Sequence, residues 1–288
     1  WLVLNDRTGP VPLVRANNRR PAAFTRRSAR WAGILHRKEM RSMRITRRAV
    51  SACAAAAAVA TPAVAAGEAA KVVQTLSVTI GPQRAGTPKS PRPASLQVTA
   101  TTRAADGSAP PVLVKDTVWF SSGLRWNGAL FPSCSAATIE RRGIRACPAG
   151  SQIGSGHAVA VSGPIRATPK ITVFNGPRGR SVLFYLQAER PVRVGQAVEA
   201  PFSGAGGRFS YKLTLPFPKN LQEPTPGLKI AVTEFSAQVS RSQMIGGRRR
   251  GIIETVGCPK GGAWSFEGAF AGRGGVLLHA ADSVPCRR

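Results

Sequence analysis

The residues best suited to chemistry in this chain are few. The stretch Gly150-Ser151-Gln152-Ile153-Gly154-Ser155-Gly156-His157 sets a serine close to a histidine inside a glycine-rich run. Such a run could turn backbone N–H groups toward an anion, and a serine near a histidine is the raw material of a nucleophile. The spacing matches neither G-x-x-x-x-G-K-[ST] nor G-x-S-x-G, so it reads as a turn after Cys147 with His157 opening the next strand. Carboxylates are scattered, among them Glu140, Glu189, Glu199, Glu223, Glu234, Asp106, Asp116 and Asp282. A hydrolase of polysaccharide needs two carboxyl groups flanking the scissile bond, and Glu254 and Glu267 would supply them if their strands paired.

Arginine offers the stronger pattern. Arg248, Arg249 and Arg250 stand between Gly247 and Gly251, which suggests a turn tip, and Arg141, Arg142 and Arg145 crowd one short segment. The planar guanidinium fork suits phosphate and carboxylate, so these six are the candidate anion-binding residues. Trp119, Trp126 and Trp264 are the aromatic faces that a carbohydrate-binding module would need.

Four cysteines, Cys134, Cys147, Cys258 and Cys286, follow residue 67. Their gaps are too long for the close pairs of a zinc site, and only His157 and His279 accompany them. Three disulfide pairings are possible; Cys134–Cys147 and Cys258–Cys286 are the two local ones, each bracketing one self-contained segment. No cofactor motif is present, and none is expected.

The elements that must position these residues are strands. Leu76, Val78 and Ile80 alternate with Ser77 and Thr79, and Phe209, Tyr211, Leu213 and Leu215 alternate with polar residues. Leu228, Ile230 and Val232 begin a strand that Phe235, Ala237 and Val239 continue in opposite phase, which predicts a β-bulge near Thr233 and Glu234. The apolar runs 171–174 and 182–186 flank the turn Asn175-Gly176-Pro177-Arg178-Gly179 and read as a hairpin inside a sheet. Trp264, Phe266 and Phe270 share one face of a later strand, and 276–278 is the last apolar run. Gly81 to Pro93, Ser203 to Gly207 and Pro216 to Gly227 are the breaks. Ser135 resembles an N-cap before Ala136-Ala137-Thr138-Ile139-Glu140. The expected architecture is all-β: an antiparallel β-sandwich of jelly-roll, immunoglobulin-like or lectin-like type spanning residues 67–288, with one short helix in the first disulfide loop.

Ahead of that domain lies an export signal. Arg44-Ile45-Thr46-Arg47-Arg48, the alanine-rich run from Ala49 to Ala60, and Ala63-Val64-Ala65 form a charged region, an apolar region and a small-residue cleavage site over residues 43–66. Pro62 and the weak hydropathy of alanine argue against a transmembrane anchor, so the mature form is expected to have none. Cys53 follows Val50-Ser51-Ala52 as in a lipobox, but it precedes the apolar run and is expected to leave with the signal. Arg47-Arg48 also fits a twin-arginine signal, with the Sec route favoured. Residues 1–42 read as an upstream extension of the reading frame, or as a disordered basic arm. Of 41 basic and 13 acidic side chains, 13 and 2 precede Gly67. The rest still leaves a strongly basic mature chain.

Phe131-Pro132-x-Cys134, Cys147-Pro148-x-Gly150-Ser151-x-Ile153-Gly154-x-Gly156 and the tail Cys258-Pro259-x-Gly-Gly-x-Trp264-x-Phe266 ending at Cys286 resemble a group of secreted β-rich proteins of high-GC actinobacteria. The resemblance covers most of residues 112–286, and the paired-cysteine frame is its most specific part. Trp119-Phe120-Ser121 departs from the group, which has Leu-Pro before the glycine. The group has no established activity, so the resemblance implies fold and export alone.

The expectation is a secreted or envelope-associated structural or binding protein rather than an enzyme. Its expected partners are anionic envelope polymers, lipid headgroups or acidic polysaccharide, and export disfavours intracellular nucleic acid. A polysaccharide-active hydrolase and a carbohydrate-binding module are the alternatives.

Overall fold

Period-two alternation decides which face of each strand is buried, and in this chain it builds nearly everything. The computed structural model describes residues 71–190 and 193–288, so the basic extension 1–42, the signal 43–66 and Cys53 lie outside the described residues. The first strands are Val72–Gly81 (β1), Arg92–Ala104 (β2), Leu113–Ser121 (β3), Leu124–Trp126 (β4), Gln152–Ser162 (β5), Ile165–Ala167 (β6), Lys170–Asn175 (β7) and Ser181–Ala188 (β8). There follow Val194–Gly206 (β9), Phe209–Pro216 (β10), Ala231–Val239 (β11), Ser242–Ile245 (β12), Arg248–Gly251 (β13), Ile253–Thr255 (β14), Ala263–Gly272 (β15) and Leu277–Pro285 (β16). Two short helices, Ala136–Arg142 (α1) and Lys219–Gln222 (α2), interrupt them.

One sheet runs in the order β16-β15-β3-β10-β9-β8-β7-β5-β11-β2-β14-β4, with β1 on β2 and β6 on β5, while β12 and β13 form a separate hairpin. Every strand pair is antiparallel. β9 is long enough to serve both halves, pairing β8 through Pro201 and β10 from Phe202 onward. The sheet folds over so that its inner faces enclose one core. Leu96, Phe184 and Ala237 come from one half and Phe120, Leu215, Phe266 and Phe270 from the other. The all-β, antiparallel sandwich-like class is therefore the one observed.

The two ends of the sheet meet. The Val78 N–H donates to Oδ2 of Asp282 (2.6 Å), linking β1 to β16. Beyond both strands, the Arg287 N–H donates to the Gln83 carbonyl (3.0 Å) and the Ala85 N–H to the Arg287 carbonyl (2.8 Å).

Most local expectations match this architecture. β11 carries a register shift between Val232 and Glu234 against β5, where the inverted phase places it. The 171–186 hairpin is β7 and β8, internal to the sheet. Two segments differ. Leu228–Ile230 stays outside β11, because the Ile230 N–H is spent on the Gln222 carbonyl (2.8 Å) instead of a strand partner. Ser203–Gly206 extends β9, and only Gly207 and Arg208, between the paired Gly206 and Phe209, make the turn.

Both local disulfides are present, Cys134–Cys147 and Cys258–Cys286, with Cα separations of 5.3 and 5.6 Å. They close loops of 13 and 28 residues. Loop-closure entropy makes them worth about 3 and 3.5 kcal/mol. Ser135 caps α1, its Oγ accepting from the Thr138 N–H (3.1 Å). Ile139 then packs with Phe174, Leu183 and Ala197 in a small second core outside the sheet.

Candidate functional site

Several irregular segments converge at one end of the sandwich, and buried amides hold them there. Asn175 is fully buried, and its Nδ2 donates to the carbonyls of Gly128 (2.9 Å), Phe131 (3.1 Å) and Pro132 (3.0 Å). The Cys134 N–H returns a bond to the Asn175 carbonyl (2.9 Å), which ties the first disulfide loop to the β7–β8 turn. The β12–β13 hairpin joins them through Gln243, whose Nε2 donates to the Leu130 carbonyl (3.1 Å).

Arginines stud these segments. With Ile139 turned inward, α1 and the turn after it leave Arg141, Arg142 and Arg145 in solvent. Arg248–Arg250 is the strand β13 rather than a turn tip; Gly246 and Gly247, both at positive φ, make the tip instead. Arg248 and Arg249 face solvent, while Arg250 turns inward to Glu254.

Glu254 is the electrostatic centre of this end. It is 0% exposed, bonded by Arg125 Nη2 (2.5 Å), Arg250 Nε (2.8 Å) and the Gly251 N–H (3.2 Å). Burial works against its ionisation, yet the bonds from Arg250, Arg125, Asn127 and Gly251 outweigh that and hold its pKa at about 2. Asn127 Nδ2 also donates to the Gly251 carbonyl (2.8 Å), so one node fixes β4, β13 and β14 together.

Arg125 also borders an open groove of about 550 Å³ shared with Arg180, Ser203 and Ser210. The Nε of Arg125 is sealed from solvent without an acceptor among the described residues. The groove floor is aromatic: Trp126 lies against Phe202 (4.6 Å between centroids) and Phe202 meets Tyr211 edge-on (5.2 Å). These three rings also wall an internal apolar cavity of about 90 Å³ between the sheet halves. Asp116 lines that cavity from β3, only 8% exposed, its Oδ1 without a hydrogen-bond partner among the described residues. Burial alone pushes its carboxyl up to about 8. The Tyr211 hydroxyl is likewise sealed, without a partner among the described residues, and burial raises its pKa too.

The remaining candidates fall elsewhere. β14 and β15 do not pair, so Glu254 and Glu267 are not cross-strand neighbours. Glu267 is partly exposed and bonded to Arg208. Trp264 is fully buried with its Nε1 on the Gly257 carbonyl (3.0 Å), and Trp126 is half-buried with its Nε1 on the Gly179 carbonyl (2.8 Å). Trp119 lies half-buried, with the Lys212 ammonium 6.0 Å from its ring centroid. In the glycine-rich run the chain does turn after Cys147, with Gly150 at positive φ and the Ser151 N–H on the Pro148 carbonyl (3.0 Å). But β5 already begins at Gln152, so His157 sits within the strand rather than opening it, its Nε2 bonded to Glu234 (2.9 Å) across the β5–β11 pair.

Close approach explains those glycines. A Cβ on Gly154 would lie 1.8 Å from the Gln238 carbonyl oxygen, and one on Gly156 would lie 2.0 Å from that of Ser236. Gly154→Ala must push β11 away, and overpacking of this kind costs about 1–3 kcal/mol. Urea titration is expected to show that loss, while Ser155→Ala, on an exposed position of the same strand, leaves the midpoint unchanged.

Sequence reasoning did not single out Asp116, Tyr211, Arg125 and Arg180. The available signal was phase: Asp116 alternates with Val118 and Phe120, as an inward residue must. Comparison with protein-family models and with curated proteins returned no match.

Proposed function

We propose that the protein is an exported, non-enzymatic binding module, secreted or held at the cell envelope, that engages anionic polymers or headgroups through the arginines at this end of the sandwich. The observation that carries the reading is a mismatch of partners. Glu189, Glu223, Glu254 and Glu267 are each engaged by an arginine, Glu234 by His157, and Glu199 and Asp282 by hydroxyl or backbone donors. Arg141, Arg142, Arg145, Arg248 and Arg249 face solvent with no carboxylate at salt-bridge distance among the described residues. Unpaired guanidinium groups on converging segments raise the local concentration of anions by long-range attraction, which salt screens.

Export rests on the signal over residues 43–66, and two disulfides suit an oxidising compartment. The likeness to secreted actinobacterial β-rich proteins supports the same reading. Binding to polygalacturonate and to phosphatidylglycerol vesicles is expected to weaken at least tenfold between about 0.05 and 0.5 M salt. Replacing Arg141, Arg142 and Arg145 by Gln is expected to produce a comparable loss at low salt. Salt-independent binding, or an unaffected triple variant, would overturn the electrostatic reading.

A further inference from the structure

The inner face of β3 should be apolar throughout, since Asp116, Val118 and Phe120 all point between the sheet halves. In register, Asp116 pairs with Leu215 on one side and Phe270 on the other, both buried. A valine or leucine would fill that position without leaving a polar atom unsatisfied, so packing does not account for a carboxyl group there. Its Oδ1 finds no donor or acceptor among the described residues, and the space it borders is a cavity rather than packed side chains. A second apolar cavity of about 120 Å³ lies toward the other end, near α2, and no buried unpartnered side-chain atom of the described residues lines it. Of the orphaned groups among the described residues, Asp116 Oδ1 and the Tyr211 hydroxyl line the first cavity.

That cavity also shares a wall with the open groove. Trp126, Phe202 and Tyr211 wall it on the inside and floor the open groove on the outside, so a shift of these three rings joins the two spaces. Phe120 pairs with Tyr211 and Asp116 with Leu215, which puts the carboxyl four residues deeper than the gate, about 13 Å at roughly 3.3 Å per residue. A molecule passing the rings therefore crosses apolar wall before reaching the one acid at the far end. Held neutral by burial, that acid can both donate and accept a hydrogen bond.

We propose that the interior cavity is a binding chamber for a small aliphatic alcohol, entered past Trp126, Phe202 and Tyr211 and anchored by reciprocal hydrogen bonds between its hydroxyl and the Asp116 carboxyl. The volume sets the size: about 90 Å³ is smaller than a 150 Å³ apolar cavity that accepts benzene, which limits the guest to a few carbons. An alcohol fits better than an amine, because beyond Asp116 the lining offers an ammonium ion only the neutral Tyr211 hydroxyl, too little to offset its desolvation. This reading is independent of the arginines on the outer segments.

The test is ligand-observed NMR titration of the whole protein with 1-butanol, pentane and butylamine as matched probes. Saturable 1-butanol binding is expected, with pentane at least tenfold weaker, because only the alcohol satisfies Asp116. Asp116→Asn keeps a donor and an acceptor and is expected to retain binding, while Asp116→Val is expected to lose the preference for the hydroxyl. The probe comparison on the unaltered protein stands even if a variant fails to fold. No saturable binding of 1-butanol would mean that the cavity holds only water and would overturn the proposal. Equal binding of pentane would remove Asp116 as the anchor, and tighter binding of butylamine would replace the alcohol by a cation; either result also overturns it.

Discussion

Raising the pH from 5 to 8 is expected to destabilise this protein by about 3–4 kcal/mol, and the Asp116→Asn variant is expected to lack that fall. The native carboxyl is held up at about 8 by burial, against an ordinary value of 3.8 in the unfolded chain. Between those values the native state holds one more proton than the unfolded state, so each rise of one pH unit costs about 1.4 kcal/mol. The stability is fully present below about pH 4 and is lost as pH climbs toward 8. For a domain of this size the change amounts to roughly 10 °C in Tm. Leu215 and Phe270, opposite Asp116 on the neighbouring strands, and Val118, on the same face of β3, carry no charge, and Tyr211 is the other titratable group of the cavity lining. Scanning calorimetry of both proteins at half-unit pH steps isolates this carboxyl from every other titrating group. A parallel fall in the variant would assign the effect elsewhere.

The acid side of the same profile belongs to Glu254. Its native pKa of about 2 lies below the ordinary 4.5, so its contribution is present above about pH 4.5 and disappears as pH falls toward 2. Glu254→Gln at neutral pH leaves Arg125 and Arg250 facing each other without the carboxylate, and breaking a buried pair in this way costs about 3–5 kcal/mol. The variant is expected to lose the acid limb of the stability curve and to release β13, whose Gly251 N–H and Arg250 side chain are both held by that carboxylate. Rapid amide exchange at Gly251 and Ile252 would report the release. Glu267→Gln is the control: its pair with Arg208 is largely solvated, and its removal is expected to cost less than about 1 kcal/mol. Equal losses in the two variants would contradict the central role assigned to Glu254.

Local pattern carried a large part of the architecture. The alternation at Leu76-Val78-Ile80 and at Phe209-Leu215 became β1 and β10, and the phase inversion around Thr233 became the bulge in β11. Both effects act between adjacent residues, where periodicity is informative. The glycine-rich run was misleading because glycine disfavours strands in general, while here Gly154 and Gly156 answer carbonyls of a strand some 80 residues later in the chain. Glu254 looked like any acid until β4 and β13 brought Arg125 and Arg250 to it. The buried position of Asp116 was written in its phase with Val118 and Phe120, but the cavity beside it depends on side chains from several distant strands, which no window of sequence displays.

The contact of β1 with β16 makes completion of the fold wait on synthesis. A sheet whose first strand lies open offers unpaired backbone groups to any other extended chain, a recognised route to aggregation. Here the Val78 N–H is capped by a carboxylate from a segment made some 200 residues later, and the neighbouring backbone by Arg287. Until β16 arrives, the β1–β2 hairpin presents a template that no other strand of the described residues covers. A pairing so distant in sequence is also slow to find. The C-terminal Cys258–Cys286 link, which shortens that search by tethering β16 beside the start of β15, therefore guards against self-association as well as adding stability.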